Sequence, residues 1–224
     1  MEITLKKLSK DYQSNEAYKI LRTNIEFSGE DKKVLVFTSC IPDEGKSTVS
    51  LSLAMALAED DKKVLYIDAD LRKSAMAGRH KINGEVKGLS HYLSGMADVK
   101  EVIQHTQDAK LHVILAGVTP PNPAELLGGR KFEALLTAAR KAYDYVIIDA
   151  PPLGNVIDAA VIAKSCDASV LVISANEISY KFAVNVKEQL EMTGCPILGV
   201  VLNKVDMKQN KYYGKYYGKY YGKY

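Results

Sequence analysis

The stretch SCIPDEGKST, residues 39–48, holds residue types that bind phosphate. Gly45-Lys46-Ser47-Thr48 has the form of the second half of a P-loop at the start of a helix. Backbone amides at a helix N-terminus cradle phosphate oxygens, Lys46 reaches the β- and γ-phosphates, and the Ser47 hydroxyl is a ligand for Mg²⁺. Pro42, Asp43, Glu44 and Thr48 complete the candidate nucleotide-binding set. There is one departure. Cys40 replaces the first glycine of the pattern, and Pro42 stiffens the loop.

Two further stretches end apolar runs with aspartate. YIDADLRK (66–73) puts Asp68 and Asp70 on one side of the chain, at the carboxyl end of a strand expected beside the P-loop. YVIIDAPP (145–152) places Asp149 as a Walker-B carboxylate that holds Mg²⁺ through water, before Pro151-Pro152 turns the chain. A single strand-end aspartate usually caps a loop. Three on two strands, with a P-loop on another, point to metal and phosphate chemistry.

ATP hydrolysis needs one metal-holding acid and something to position water, so this set has a carboxylate to spare. Asp68 is the candidate base for an attacking hydroxyl, with Asp70 and Lys46 beside it in the catalytic set. It is also a candidate metal ligand with Ser47 and Asp149. Arg72 is placed to stabilise transferred phosphate, to bridge to a neighbouring subunit, or to form a surface ion pair. NKVD (203–206) ends the last apolar run; Asn203 is expected to touch the base, with ATP favoured because other GTPase signatures are absent.

Such residues need a scaffold, and the apolar pattern predicts one. Continuous apolar runs at 33–39, 63–68, 111–117, 145–149, 168–174 and 196–203 read as strands covered on both faces. Segments 46–60, 123–142, 156–166 and 179–194 carry apolar residues at helical spacing. Strand–helix–strand repetition with short connections predicts an α/β fold, a mostly parallel P-loop NTPase-like sheet flanked by helices. Ligands bind at the carboxyl ends of such strands.

Upstream, residues 14–27 predict a helix capped by Ser14 or Asn15. Tyr18, Leu21 and Ile25 form its apolar side, and Glu16, Lys19 and Arg22 lie along a neighbouring stripe. The organisation read from the chain is an N-terminal helical segment (1–30), a P-loop domain (31–206) and a tail (207–224). The tail lacks apolar periodicity and is expected not to order itself. It ends KYYGKYYGKYYGKY, placing Tyr212, Tyr213, Tyr216, Tyr217, Tyr220, Tyr221 and Tyr224 among lysines and glycines, with no serine or threonine.

Composition narrows the classes. A length of 224 residues suits one well-buried domain, and 47% apolar with 25% charged residues is ordinary for a globular protein. The net charge of +3 is too small to imply nucleic acid. No apolar run spans a bilayer, and the first residues lack the apolar centre of a signal peptide. Cys40, Cys166 and Cys195 are widely spaced and odd in number, which predicts reduced thiols in a cytoplasmic protein. The four histidines show no metal-ligand spacing.

The combination of TSCIPDEGKST, LYIDADLRK and VIIDAPP resembles the Walker A, A′ and B motifs of the bacterial tyrosine kinases of capsule and exopolysaccharide synthesis. EAYKILRTNI, GLSHYLSG (88–95), PPNPAELL (120–127) and the terminal tyrosine cluster extend the resemblance over nearly the whole chain. It resembles the Gram-positive form, in which the kinase is separate from a transmembrane activator. The resemblance implies an ATP- and Mg²⁺-dependent kinase that phosphorylates its tyrosine cluster and regulates polysaccharide synthesis and export. It implies a cytoplasmic enzyme recruited to the inner face of the membrane by the cytoplasmic tail of its activator, a polysaccharide co-polymerase. A ring-like homo-oligomer and a cognate tyrosine phosphatase follow as partners. The family's Glu-x-x-Arg-x-x-Arg subunit-contact motif appears as Glu16, Lys19 and Arg22; the lysine keeps the charge but loses the bidentate fork.

From residues 207–224 the tail reaches roughly 60 Å when extended, far enough for a neighbouring site or its own. Phosphorylating seven tyrosines turns the +4 of Lys211, Lys215, Lys219 and Lys223 into roughly −6 to −10, which predicts weaker subunit association. Two other readings stay open: an ATPase switch of the partition or division-site type, and a nucleotide-binding docking subunit. Ile41, Pro42 and Asp43, where the partition ATPases carry an early P-loop lysine, count against the first.

Overall fold

The computed structural model describes residues 2–5, 12–76 and 86–206. Its strands are β1 (Glu2–Ile3), β2 (Val34–Ser39), β3 (Val64–Asp68), β4 (Ile103–Thr106), β5 (Leu111–Ile114), β6 (Tyr145–Asp149), β7 (Ala168–Ser174) and β8 (Ile197–Asn203). They form one eight-stranded sheet in the order β1-β4-β5-β3-β6-β2-β7-β8. Neighbours pair parallel except β4 with β5.

The helices are α1 (Tyr12–Glu26), α2 (Lys46–Glu59), α3 (Leu89–Leu93), α4 (Val99–Val102), α5 (Pro123–Leu127), α6 (Arg130–Ala142), α7 (Asp158–Ala163) and α8 (Tyr180–Glu191). Two cores sandwich the sheet. On one face Leu35, Phe37, Tyr66, Ile147 and Val170 meet Val49, Leu53 and Leu57 of α2 and Ile25 of α1. On the other, Val36, Leu65, Ile67, Val146 and Ile148 meet Phe132 and Leu136 of α6, Ile162 of α7 and Val186 of α8. Burial from both sides explains why the central strands are apolar at every position. α2 is buried nearly all round because α1 covers its outer side, with Tyr18 and Leu21 packed against the same core.

Four expectations are corrected. The strand beside the P-loop strand β2 is β6, and β3 lies one place further out, with Asp68 registered opposite Asp149. The helix read over 123–142 is two, because Gly128 and Gly129 end α5 and open α6. Neither Ser14 nor Asn15 caps α1, which already begins at Tyr12. β5 ends at Ile114, not at 117: the carbonyls of Leu115 and Ala116 accept from Leu89 and Ser90 at the start of α3.

β1 and β4 escaped the sequence pattern. β1 has two residues, and IQHT of β4 alternates in burial, so neither is a continuous apolar run. Across β4 and β5, His105 and His112 stand opposite each other with Nδ1 and Nε2 3.1 Å apart. The other ring nitrogen of His112 lies 2.8 Å from the Tyr143 hydroxyl.

Candidate active site

The carboxyl end of β2 delivers the chain into the loop 40–45 and then into α2. Gly45 has φ 92°, a conformation that favours glycine, and a Cβ there would come within 2.1 Å of the Asn203 amide. Glu44 is fully buried. Its carboxylate accepts from the backbone N–H of Cys40 (2.6 Å), Ile41 (2.9 Å) and Ser174 (3.0 Å). Three backbone donors on one carboxylate fix the loop to itself and to the end of β7. The Glu44 side chain is therefore a brace, and the loop amides of Cys40 and Ile41 are held by it. The backbone N–H groups of Lys46 and Ser47 open α2, the end of a helix that favours an anion.

Asn203, expected against the base, donates its amide to the Glu44 carbonyl at 2.9 Å. It clamps the phosphate loop from the end of β8. Pro42 and Asp43 form the outer turn, where Asp43 has φ 65°.

Lys46 lies at the centre. Its Nζ is 3.2 Å from the Ser47 hydroxyl, 3.2 Å from Asp149 Oδ1 and 3.4 Å from Asp70 Oδ2, and the residue is buried. Burial opposes its charge, but Asp149, Asp70 and Asp68 outweigh that and hold its pKa above the ordinary lysine value. The structure thus brings together Lys46, Ser47, Asp68, Asp70 and Asp149. Asp68 Oδ1 accepts from the Asp70 N–H at 3.2 Å, and Oδ2 from the Ser74 hydroxyl at 2.5 Å. Burial first, and the Asp149 carboxylate second, push Asp68 up to about 7.

Three carboxylates surround one ammonium, and Asp149 Oδ2 is buried without a hydrogen-bond partner. Excess negative charge, an orphaned carboxylate oxygen and a neighbouring serine hydroxyl fit a hard divalent cation such as Mg²⁺.

The elevated Asp68 gives a pH signature in the ligand-free protein. An unfolded chain releases this proton near pH 4, whereas the folded one keeps it to about 7. Folding stability contributed by this group therefore falls as pH rises from about 4 to 7, and the loss is complete above that. In thermal melts without nucleotide or metal, Asp68→Asn should match the parent near pH 4. It should become the more stable of the two as pH rises to 7. A stability difference independent of pH would contradict the assignment.

Of the three readings open for Arg72, the structure shows an ion pair. Its Nε and Nη2 bind Asp158 Oδ2 and Oδ1 at 2.6 and 2.9 Å, and Asp158 is fully buried at the start of α7. The Asp158 side chain went unnoticed in the sequence, where an aspartate opening a helical run reads as an ordinary first-turn acid. Ser74 was likewise missed, since a serine in a loop carries no signal of its own.

Glu16, Lys19 and Arg22 sit elsewhere. Lys19 pairs with Glu16 at 2.7 Å on the exposed side of α1. Arg22 reaches the C-terminal end of α2, donating to the Ala56 carbonyl (3.1 Å) and facing Asp60 (3.3 Å). That end of α2 lies about 20 Å from its phosphate-facing end. The seven tail tyrosines lie outside the described residues. Among the described residues no helix is long and apolar enough to cross a membrane.

An AAA-domain family model matches residues 43–193. Tyrosine-protein kinase CpsD of Streptococcus agalactiae is 45% identical over 206 residues, covering 92% of this chain and 90% of the relative. Among solved structures, the kinase domain of the Escherichia coli tyrosine kinase ETK superposes with a TM-score of 0.82 at 35% identity, covering 92% of this chain and 84% of that one. A septum site-determining protein MinD of Pyrococcus horikoshii, complexed with Mg-ADP, superposes at 0.63 with 25% identity, covering 76% and 69%. The chain shares its nucleotide-binding fold with all three.

Proposed function

Because the chain belongs to the bacterial tyrosine-kinase family, and is therefore a protein-tyrosine kinase, we propose that it transfers the γ-phosphoryl group of ATP to the tyrosines of its own segment 212–224. The observation that carries this reading is Asp68. Lys46, Ser47 and Asp149 already supply what binding and hydrolysis of a nucleotide require. Asp68 adds a further buried carboxylate beside Asp149, in a place to take the proton of an acceptor hydroxyl.

In this reading the α2 N-terminus and Lys46 bind the β- and γ-phosphates, and the Glu44 and Asn203 contacts keep the loop from yielding under that charge. Ser47 and Asp149, with Asp68 in the same set, would hold Mg²⁺, which supplies neutralisation of phosphate charge. Asp68 accepts the proton of the acceptor hydroxyl as the tyrosine oxygen bonds to phosphorus and ADP leaves. Asp70 orients Asp68 through its N–H and shares Lys46. Arg72, held by Asp158 at the rim, is the candidate for contact with transferred phosphate.

The family supports the wider setting, and the proposal includes it. The enzyme regulates capsular or exopolysaccharide synthesis from the cytoplasmic side of the membrane. It is recruited by the cytoplasmic tail of a transmembrane activator, assembles through the Glu16–Arg22 stripe and is reset by a tyrosine phosphatase.

The test is intact mass. With ATP, Mg²⁺ and a cytoplasmic activator peptide, the purified chain should gain steps of about 80 Da on residues 212–224. ATP turnover with no mass gain would sink the autophosphorylation reading and favour an ATPase switch.

A further inference from the structure

His105 of β4 and His112 of β5 stand opposite each other in the antiparallel pair, seven residues apart in sequence. That spacing matches no metal motif, and only the turn between the strands brings the rings together. His105 Nδ1 lies 3.1 Å from His112 Nε2, and the ring planes meet at 86°. An in-line N–H···N bond would hold the ring centroids about 5.4 Å apart, whereas two lone pairs converging on one ion give about 4.8 Å. The centroids are 4.6 Å apart. Nitrogens 3.1 Å apart, each about 2.05 Å from one ion, subtend about 98°, between the tetragonal and tetrahedral angles.

We propose that His105 Nδ1 and His112 Nε2 chelate a late first-row divalent cation of the Zn²⁺ and Cu²⁺ class. Among the described residues no group of three or more His, Cys, Asp or Glu is placed to hold a metal, so water takes the remaining positions. A third side chain fixes the orientation. His112 Nδ1 is 2.8 Å from the Tyr143 hydroxyl, where α6 ends. With Nδ1–H donating there, the Nε2 lone pair faces His105, the arrangement typical of a ligating histidine. His105 is exposed, so its N–H can move from Nδ1 to Nε2, and the ion displaces no net proton.

The surroundings select the kind of ion. The Lys63 ammonium sits over the Tyr143 ring, 5.4 Å from its centroid, and adds positive charge beside the pair. Neutral nitrogens next to a cation disfavour Mg²⁺ and Ca²⁺, which need oxygen ligands, and leave the ions that bind imidazole strongly. His112 registers with Leu65, three residues before Asp68, so the pair lies about 10 Å or more from the carboxylate cluster, toward the amino end of β3. It is a second cation site with the opposite ligand preference, and nothing in it depends on phosphoryl transfer. A bound ion staples β4 to β5 and stabilises the fold by mass action.

Calorimetric titration with Zn²⁺ tests it on the full chain without an affinity tag, with excess Mg²⁺ holding the oxygen-ligand site. The parent should bind a Zn²⁺ ion that His105→Gln and His112→Gln each weaken by roughly tenfold or more. Zn²⁺ should also raise the melting temperature of the parent and leave that of the variants unchanged. One equivalent of Cu²⁺ should show hyperfine structure from two imidazole nitrogens in the parent and from one at most in His105→Gln, a change at an exposed position. A parent that binds no Zn²⁺ overturns the inference. Equal affinity in the parent and His105→Gln, or a parental Cu²⁺ spectrum with fewer than two nitrogens, overturns it as well.

Discussion

Asp68→Asn is expected to lower phosphoryl transfer to tyrosine by roughly 10²–10⁴-fold, the span of a positioned general base, while nucleotide still binds. Asparagine keeps the shape: its Oδ1 can accept from the Asp70 N–H and its amide N–H can donate to the Ser74 hydroxyl, where the carboxylate now accepts at 3.2 and 2.5 Å. It cannot take a proton. The same substitution removes a buried group that is costly to ionise, so the variant should melt higher than the parent at neutral pH. An enzyme that becomes more stable as it becomes inactive marks the residue as functional. Rapid-quench measurement of a single turnover, beside a nucleotide-binding titration, separates the base from a binding group. A variant that transfers phosphate at the parental rate would remove Asp68 from the mechanism.

Lys46→Met is the second large effect, and it acts on both affinity and chemistry. The Lys46 ammonium is the one cation within 3.4 Å of Asp70 and Asp149 among the described residues, and it is the group placed to meet phosphate. Methionine fills similar space without charge. Loss of a preorganised donor on a transferring group costs roughly 10²–10³-fold in rate, and lost ground-state binding adds to it. Mass increments on 212–224 should vanish under all activator conditions. Lys46→Arg should not restore them, because a planar fork does not match a point charge held among Ser47, Asp70 and Asp149. Undiminished phosphorylation in Lys46→Met would place the nucleotide elsewhere.

The fold was largely legible because its strands obey one rule. Runs such as VLVFTS and YVIID are apolar at consecutive positions, and the fold buries both faces of them. The rule fails where burial is partial: IQHT of β4 alternates, and the pair Gly128-Gly129 breaks a helical period that otherwise runs on. Strand order was not legible at all. Apolar runs state that a strand is buried and say nothing of its neighbour, so β6 rather than β3 beside β2 had to come from packing.

By itself the sequence determined the phosphate loop, the three strand-end aspartates and the tyrosine repeat. Each is a local device, written within a few residues because backbone amides, strand ends and short repeats act over a few residues. The tertiary structure alone decided who partners whom. Arg72 and Asp158 are 86 residues apart, and Asn203 and Glu44 are 159 apart. Glu44 became a brace only when β7 brought the Ser174 N–H to its carboxylate. Long-range pairing depends on which chain segments share a wall.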